Sequence, residues 1–234
     1  MFAIMRKELA SYFHSPIGYI FLAAFYFFAG IAFFTGNLMG QSSDLGSVFN
    51  YLFNFVLFLI PVLTMRLLSE DRKNKTDQVM LTAPVTITGM VVGKFLAAAL
   101  VFTLAISMTL VYGLVIALFA QPNWPSIFGN FISTLFLGVS MIAIGMFISS
   151  MTENQVVAAV GGFATALFLL LIDMFASVFT QPWVIAVINA ISYYNRYSSF
   201  SLGIFEFSNI LFFLSVCVIF LFLTVRVFEK RRWS

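Results

Sequence analysis

The chain has 234 residues, of which 62% are hydrophobic and 9% charged. A soluble domain is about a quarter charged, so a freely dissolved globular protein is excluded, and the length leaves little room for a separate soluble domain beside a membrane-embedded one. The formal net charge is +3 with no nucleic-acid motif, and the single cysteine, Cys217, excludes an internal disulfide or a cysteine-cluster metal site.

Residues 1–15, MFAIMRKELASYFHS, carry Met1, Met5, Leu9 and Tyr12 or Phe13 on one helical face. Arg6, Lys7, Glu8 and Ser11 fall on the other. This predicts an amphipathic helix lying along the membrane surface and ended by Pro16. His14, the sole histidine, reads as an interfacial residue rather than a metal ligand. A spanning helix needs about 20 apolar residues. Six runs qualify: 17–35, 48–65, 95–119, 127–148, 156–179 and 207–225. The first lacks a small-residue cleavage site and reads as retained. The predicted fold class is all-α, a polytopic membrane protein with six transmembrane helices. Open sheets leave backbone unsatisfied in lipid, and barrel strands alternate in polarity.

Basic residues set the orientation. With a cytoplasmic N-terminus, 11 of the 12 Lys and Arg fall inside and only Arg196 outside. Both termini are therefore expected in the cytoplasm. The segments GNLMGQSSDLGS and AQPNWP become external, and residues 149–155, with Glu153, form a second cytoplasmic connection.

The first cytoplasmic loop, 66–94, concentrates six ionised residues in eight positions: Glu70, Asp71, Arg72, Lys73, Lys75 and Asp77. A short helix is expected over 76–81, capped by Thr76, with Asp77 in its first turn and Pro84 beyond its end. Val79, Met80 and Leu81 put an apolar tip beside the charges, which suits docking into a groove of a soluble partner. A solvated positive-inside loop accounts for the charge equally well. GMVVGKF, 89–95, has three residues between its glycines instead of four and Phe95 in place of Ser or Thr, so it is no nucleotide loop.

Within the spans, Asn50 and Asn54 lie one turn apart, facing a pathway or bonding a neighbouring helix. Asp173 is an acid inside an apolar run, where the choices are ion coupling, a bond between helices, or a wet cavity. Residues 181–206 are apolar at first, then rich in Tyr, Ser and Asn. The apolar part is too short to cross and predicts an external re-entrant pair of short helices, with an interfacial loop as the alternative. No zinc motif, nucleophile elbow or cysteine pair occurs, so neither a catalytic site nor a metal site is expected.

In the first loop, Glu70, Arg72 and Lys73, Thr76-Asp77, Val79-Met80-Leu81, Pro84 and Gly93-Lys94 follow one another in an order that resembles the permease subunits of type-2 ABC exporters. The chain departs from the family pattern at Lys75, where Gly is usual, and at Asp77, which replaces Glu. The stretch ISYYNRYSSFSLGIFEFSNILFFLS resembles the gliding-motility branch of that family, with Tyr194-Asn195-Arg196 standing near its Ser-Pro-Phe. The layout of the whole chain is similar to theirs.

The resemblance implies one permease domain over 1–234 in a bacterial plasma (inner) membrane. It pairs with a second permease subunit, itself or a sister, and docks separate ABC ATPase subunits. An auxiliary membrane or periplasmic subunit is a further partner, beside the lipid bilayer; nucleic acid is not one. ATP and magnesium belong to the ATPase, and this chain holds no cofactor of its own. Glu70, Asp71, Arg72, Lys73, Thr76, Asp77, Met80, Leu81 and Pro84 would couple to the ATPase, with Glu153 as a second contact. Tyr193, Tyr194, Tyr197, Phe200 and Phe205 would form an external gate. Asn50, Asn54 and Asp173 are pathway candidates. The alternatives are an ATPase-driven scaffold without cargo and an ion-coupled secondary transporter; the latter calls for more intramembrane charge or for internal repeats.

Overall fold

The computed structural model describes residues 1–76, 86–176, 181–201 and 207–232, and its regular elements are all helical. Helix α1 spans Phe2–His14. It stops because Pro16 disfavours helical backbone at the preceding residue, and Ser15 is extended at φ −105 and ψ 154. Pro16 then occupies the first position of α2, Pro16–Phe33, where its missing N–H costs nothing. The corner is tight: a Cβ on Gly18 would overlap the Tyr12 carbonyl. A π-helical turn, Phe34–Met39, extends α2.

Helix α3 is Gly46–Thr64 and the short α4 is Ser69–Lys73. There follow α5, Ile87–Ala117, α6, Trp124–Met151, and α7, Gln155–Ala176. The short helices α8, Pro182–Ile191, and α9, Tyr193–Ser201, precede α10, Phe207–Arg232. Six segments are long and apolar enough to cross a membrane: Pro16–Met39, Gly46–Lys73, Ile87–Ala117, Trp124–Met151, Gln155–Ile172 and Phe207–Arg231. They correspond one to one with the six predicted runs, and the chain is an all-α, multi-pass membrane protein.

A boundary difference lies at the start of the third span. Thr86 Oγ1 accepts a hydrogen bond from the Gly89 N–H at 3.2 Å and caps α5 eight residues before the predicted start. Lys94 is therefore inside the helix rather than in front of it. A cation normally marks the end of an apolar run, and here it is buried among partners instead.

Helix α6 is the central element, packed against α3, α5, α7, α9 and α10. Apolar side chains gain little by leaving lipid for one another, so helices in membranes associate through close packing of small residues. Gly138 receives the Phe102 ring of α5, and Gly145 receives Thr64 of α3; a Cβ on either would overlap that neighbour. The ten residues of α8 reach about 15 Å, half of a hydrocarbon core of about 30 Å. Ser192 separates α8 from α9, and its hydroxyl accepts the Asn195 N–H at 3.0 Å. A pair of short helices thus occupies 182–201, as the sequence led us to expect.

Phe102 is fully buried. Gly138→Ala should push its ring off the α6 surface and destabilise the protein by about 1–3 kcal/mol, as overpacking does. Thermal unfolding of the detergent-solubilised protein measures this, and an unchanged midpoint would contradict the packing described.

Candidate functional site

The second span is broken at residues 65–68, between α3 and α4. The break leaves backbone groups to be satisfied in a buried place, and side chains from three other elements satisfy them. Leu67 N–H bonds to Thr64 O, which leaves the Leu63 carbonyl to accept from the Tyr12 hydroxyl of α1 at 3.0 Å. The Leu67 carbonyl accepts from Lys94 Nζ of α5 at 3.0 Å. Ser149 Oγ of α6 donates to Met65 O at 3.1 Å and accepts from the Leu68 and Ser69 N–H groups at 3.2 and 3.0 Å. That exhausts the one donor and two acceptor positions of a hydroxyl. Ser69 Oγ closes the turn on Met65 O. Burial raises the Tyr12 phenol well above its ordinary pKa, and the nearby Glu8 carboxylate adds to the rise, so Tyr12 remains a neutral donor.

Lys94 is 1% exposed. Its ammonium sits 2.6 Å from Glu8 Oε1 of α1 and 2.7 Å from Asp71 Oδ2 of α4. With the Leu67 carbonyl this uses all three of its donors. Beside it, Arg66 grips Glu70 with two bonds of 2.5 and 3.1 Å and donates to Ser15 Oγ at 3.0 Å. A polar cavity of about 160 Å³ lies among Glu8, Tyr12, Arg66, Asp71 and Lys94. The charges therefore lock α1, the start of α2, the broken second span and α5 into one unit.

Arg72 extends that unit to the next connection. It donates to the Ser150 carbonyl at 2.7 Å and pairs with Glu153 Oε1 at 3.4 Å. Glu153 also meets Arg231 near the end of α10, at 3.6 Å. The 149–155 turn is ordered by its own caps: Asn154 Oδ1 accepts the Val156 N–H at 2.9 Å at the start of α7.

Of the loop residues singled out in the sequence, Glu70, Asp71 and Arg72 face inward. Lys73 and Thr76, with Asn74 and Lys75, are exposed. Thr76 Oγ1 bonds to Asp71 Oδ1 at 2.9 Å. Lys75 adopts φ +56, in the left-handed region that glycine enters without strain. The turn that the usual glycine would make is thus made here by lysine. Asp77, Met80, Leu81 and Pro84, and with them the body of the expected 76–81 helix, lie outside the described residues. Glu8 does not share the exposed face of α1 with Arg6 and Lys7; it turns toward α5, where Lys94 holds it.

At the other end of the bundle, Tyr197 is fully buried. Its hydroxyl donates to Phe49 O of α3 at 2.9 Å and lies 3.1 Å from Thr134 Oγ1 of α6. Tyr193 is buried with its edge toward Phe212 and Phe213 of α10. Tyr194 is exposed and meets Phe53. Arg196 stacks 4.2 Å over Phe212 and bonds to Asn209 at 3.2 Å. Two of the five aromatic gate candidates therefore anchor α9 rather than project from it. Of Phe200, and of Asp173 in α7, the structure describes the backbone alone; Phe205 lies outside the described residues. Asn50 and Asn54 are exposed along α3 with Tyr51 and Phe58. They share no site with the charged end.

Sequence reading missed Glu8, Arg66, Lys94 and Ser149 as one cluster. The available signal was Lys94 itself, because a cation within a long apolar helix requires a counter-charge. Its acids sit 86 and 23 positions away, and no local pattern links them. Among the described residues, no three His, Cys, Asp or Glu gather as a metal-ligand set.

Comparison with known families matches residues 2–233 to the family described as ABC-2 family transporter protein. No curated protein matches the chain.

Two substitutions test the cluster. Lys94→Met leaves two half-buried carboxylates without their cation and should cost about 1–3 kcal/mol, with partial recovery when Glu8→Gln and Asp71→Asn are added. Denaturation in detergent measures both. Ser149→Ala leaves two backbone N–H groups unpaired and should cost about 1–3 kcal/mol in the same assay.

Proposed function

This chain belongs to the ABC-2 family of transporter proteins, as a membrane permease subunit without an enzymatic site of its own, and from that premise we propose how it couples to its motor. Permeases of this family generally partner with ABC ATPases. Our reading is that the ATPase, carrying the ATP and magnesium, docks beneath the 66–94 and 149–155 connections, and that the complex works as an exporter. The observation that carries it is the Arg72 bridge. By joining Ser150 and Glu153 to the loop that holds Lys94, it makes one ledge of the two segments expected to meet the ATPase. A displacement applied to either connection then moves α1, α3, α5 and α6 together, which is what rigid-body rocking of a permease requires.

On this reading the six charges of the loop divide in two. Glu70, Asp71 and Arg72 stiffen the ledge. Lys73 and Lys75, both exposed, face the partner, as does the segment from Asp77 through Met80 and Leu81 to Pro84. We place this end in the cytoplasm, because all but one of the basic residues gather there. The permease pairs with a second copy or a sister subunit along α3. Asn50, Tyr51, Asn54 and Phe58 form an exposed stripe flanked by Phe28 of α2, which stacks on Phe55, and by Phe163 of α7, which meets Phe58. Exposed amides within a span favour a protein neighbour or a wet pathway over lipid. The α8–α9 pair closes the outer end, with Tyr194 exposed on it. The likeness of the stretch from Ile191 onward to the gliding-motility branch supports that branch as the source of its cargo class.

The test is isolation of the complex from native membranes in mild detergent, with mass spectrometry of the soluble proteins retained. A stoichiometric protein carrying a phosphate loop is expected. The double variant Lys73→Glu, Lys75→Glu should lower its retention and the coupled ATP hydrolysis at least about tenfold, with the unfolding midpoint unchanged, since exposed charges far from partners shift stability little. Unaltered coupling would remove these lysines from the interface. Repeated absence of an ATPase would remove the reading itself. Cysteines placed at Ser43 and Ser199 should be labelled from outside intact cells, and one at Asn74 should not.

A further inference from the structure

Helix α1 carries two cations and an acid in consecutive positions, Arg6, Lys7 and Glu8. The fold separates them. Glu8 is drawn to the inner face by Lys94 at 2.6 Å. Tyr12 is buried on that side, and Ile4, Leu9 and Phe13 pack against the core. The outward face keeps Phe2, Ala3, Arg6, Lys7 and Ala10, all exposed, with Phe2 at 72%. These five line an open groove of about 580 Å³ that holds two cations and no acid. Among the described residues, neither Arg6 nor Lys7 has an ion pair or a side-chain hydrogen bond. Lys7 also edges the polar cavity beneath α1, but the acids there are already matched, Glu8 and Asp71 by Lys94 and Glu70 by Arg66.

The depth of α1 in the membrane follows from α5. Its 31 residues rise about 46 Å, roughly 16 Å more than a hydrocarbon core. At the far end α5 runs into the exposed apolar pair Leu118 and Phe119, so the surplus lies at the Lys94 end. There α1 crosses it: a Cβ on Gly93 would stand 3.0 Å from the Met1 carbonyl oxygen and 3.3 Å from the Ile4 side chain. At the other end of α1, Ser15 turns the chain directly into the first span. Both ends thus hold α1 at the level of the lipid headgroups. An exposed aromatic side chain beside two cations without protein partners complements the phosphates and upper acyl chains found at that level.

We propose that the outward face of α1 is a binding site for an anionic phospholipid, whose headgroup phosphate pairs with Arg6 and Lys7 while Phe2 lies against the top of its acyl chains. This rests on the chain's place in a membrane and on neither the coupling nor the cargo reading. The face selects net charge: a zwitterionic lipid offers the same phosphate, but its own ammonium competes with the two side chains. Removal of Glu8 from this face is what makes it selective, because a carboxylate beside Arg6 and Lys7 would repel the phosphate.

The probe is an equimolar mixture of phosphatidylglycerol and phosphatidylcholine of one acyl composition, offered to the full-length protein in detergent. Native mass spectrometry counts the lipids retained. Phosphatidylglycerol is expected to exceed phosphatidylcholine about fivefold for each cation engaged. The double variant Arg6→Gln, Lys7→Gln should lower that ratio at least about fivefold, with the unfolding midpoint unchanged, because both side chains are exposed. The variant Lys73→Gln, Lys75→Gln removes the same charge from exposed positions off α1 and should leave the ratio as it was. Equal retention of the two lipids by the unmodified protein would overturn the proposal. An equal fall in both double variants would overturn it too, by assigning the preference to overall charge. So would a ratio untouched by Arg6→Gln, Lys7→Gln together with loss of a soluble partner from the native complex, which would give the face to a protein.

Discussion

The charged end of this protein depends on a backbone that stops being helical while still buried. At residues 65–68 the second span breaks, and carbonyl and N–H groups that a continuous helix would have paired internally face the interior. Each orphaned group in such a place costs several kcal/mol if left alone. Tyr12, Lys94 and Ser149 supply the missing partners from α1, α5 and α6. Lys94 can serve there because Glu8 and Asp71 neutralise it. The break thus dictates a lysine, the lysine dictates two acids, and the acids fix where α1 and α4 sit.

A cluster of this kind gives more definition than net stability. Removing two charges from water costs about as much as their attraction returns, and an apolar replacement of the whole set can be neutral. What the ions supply is a single arrangement: Lys94 meets both acids only when α1, α4 and α5 are in register. Arg72 carries the same constraint to the 149–155 turn. On the proposed reading this is how a soft, mostly apolar bundle transmits a push from an ATPase without absorbing it. The opposite end of the bundle is built differently. There α9 is held by two phenols and by aromatic edges, with Tyr197 bonded to Phe49 of α3.

The six spans were legible because about 20 consecutive apolar residues have one use in a protein. The α8–α9 pair was legible for the converse reason, since its apolar part is too short to cross. The start of α5 was misjudged because Lys94 was taken as the mark of a boundary. Glu70, Asp71 and Arg72 were read as a surface because six charges in eight positions look solvated, yet these three turn inward and leave Lys73 and Lys75 outside. Glu8 was set on the wet face of α1 by periodicity, which records spacing along the helix and not which neighbour stands opposite.

The sequence alone therefore determined class, number of spans, the short helical pair and the family order of motifs, for these follow from hydropathy, length and local turn chemistry. The tertiary structure decided which charges meet. Lys94 is 86 positions from Glu8 and 23 from Asp71, and Ser149 is about 80 from the backbone it completes. Pairings at such distances are set by how helices pack, through contacts such as Gly138 with Phe102 and Gly145 with Thr64. A buried charge announces that it needs a partner; only the packed bundle says which one it has.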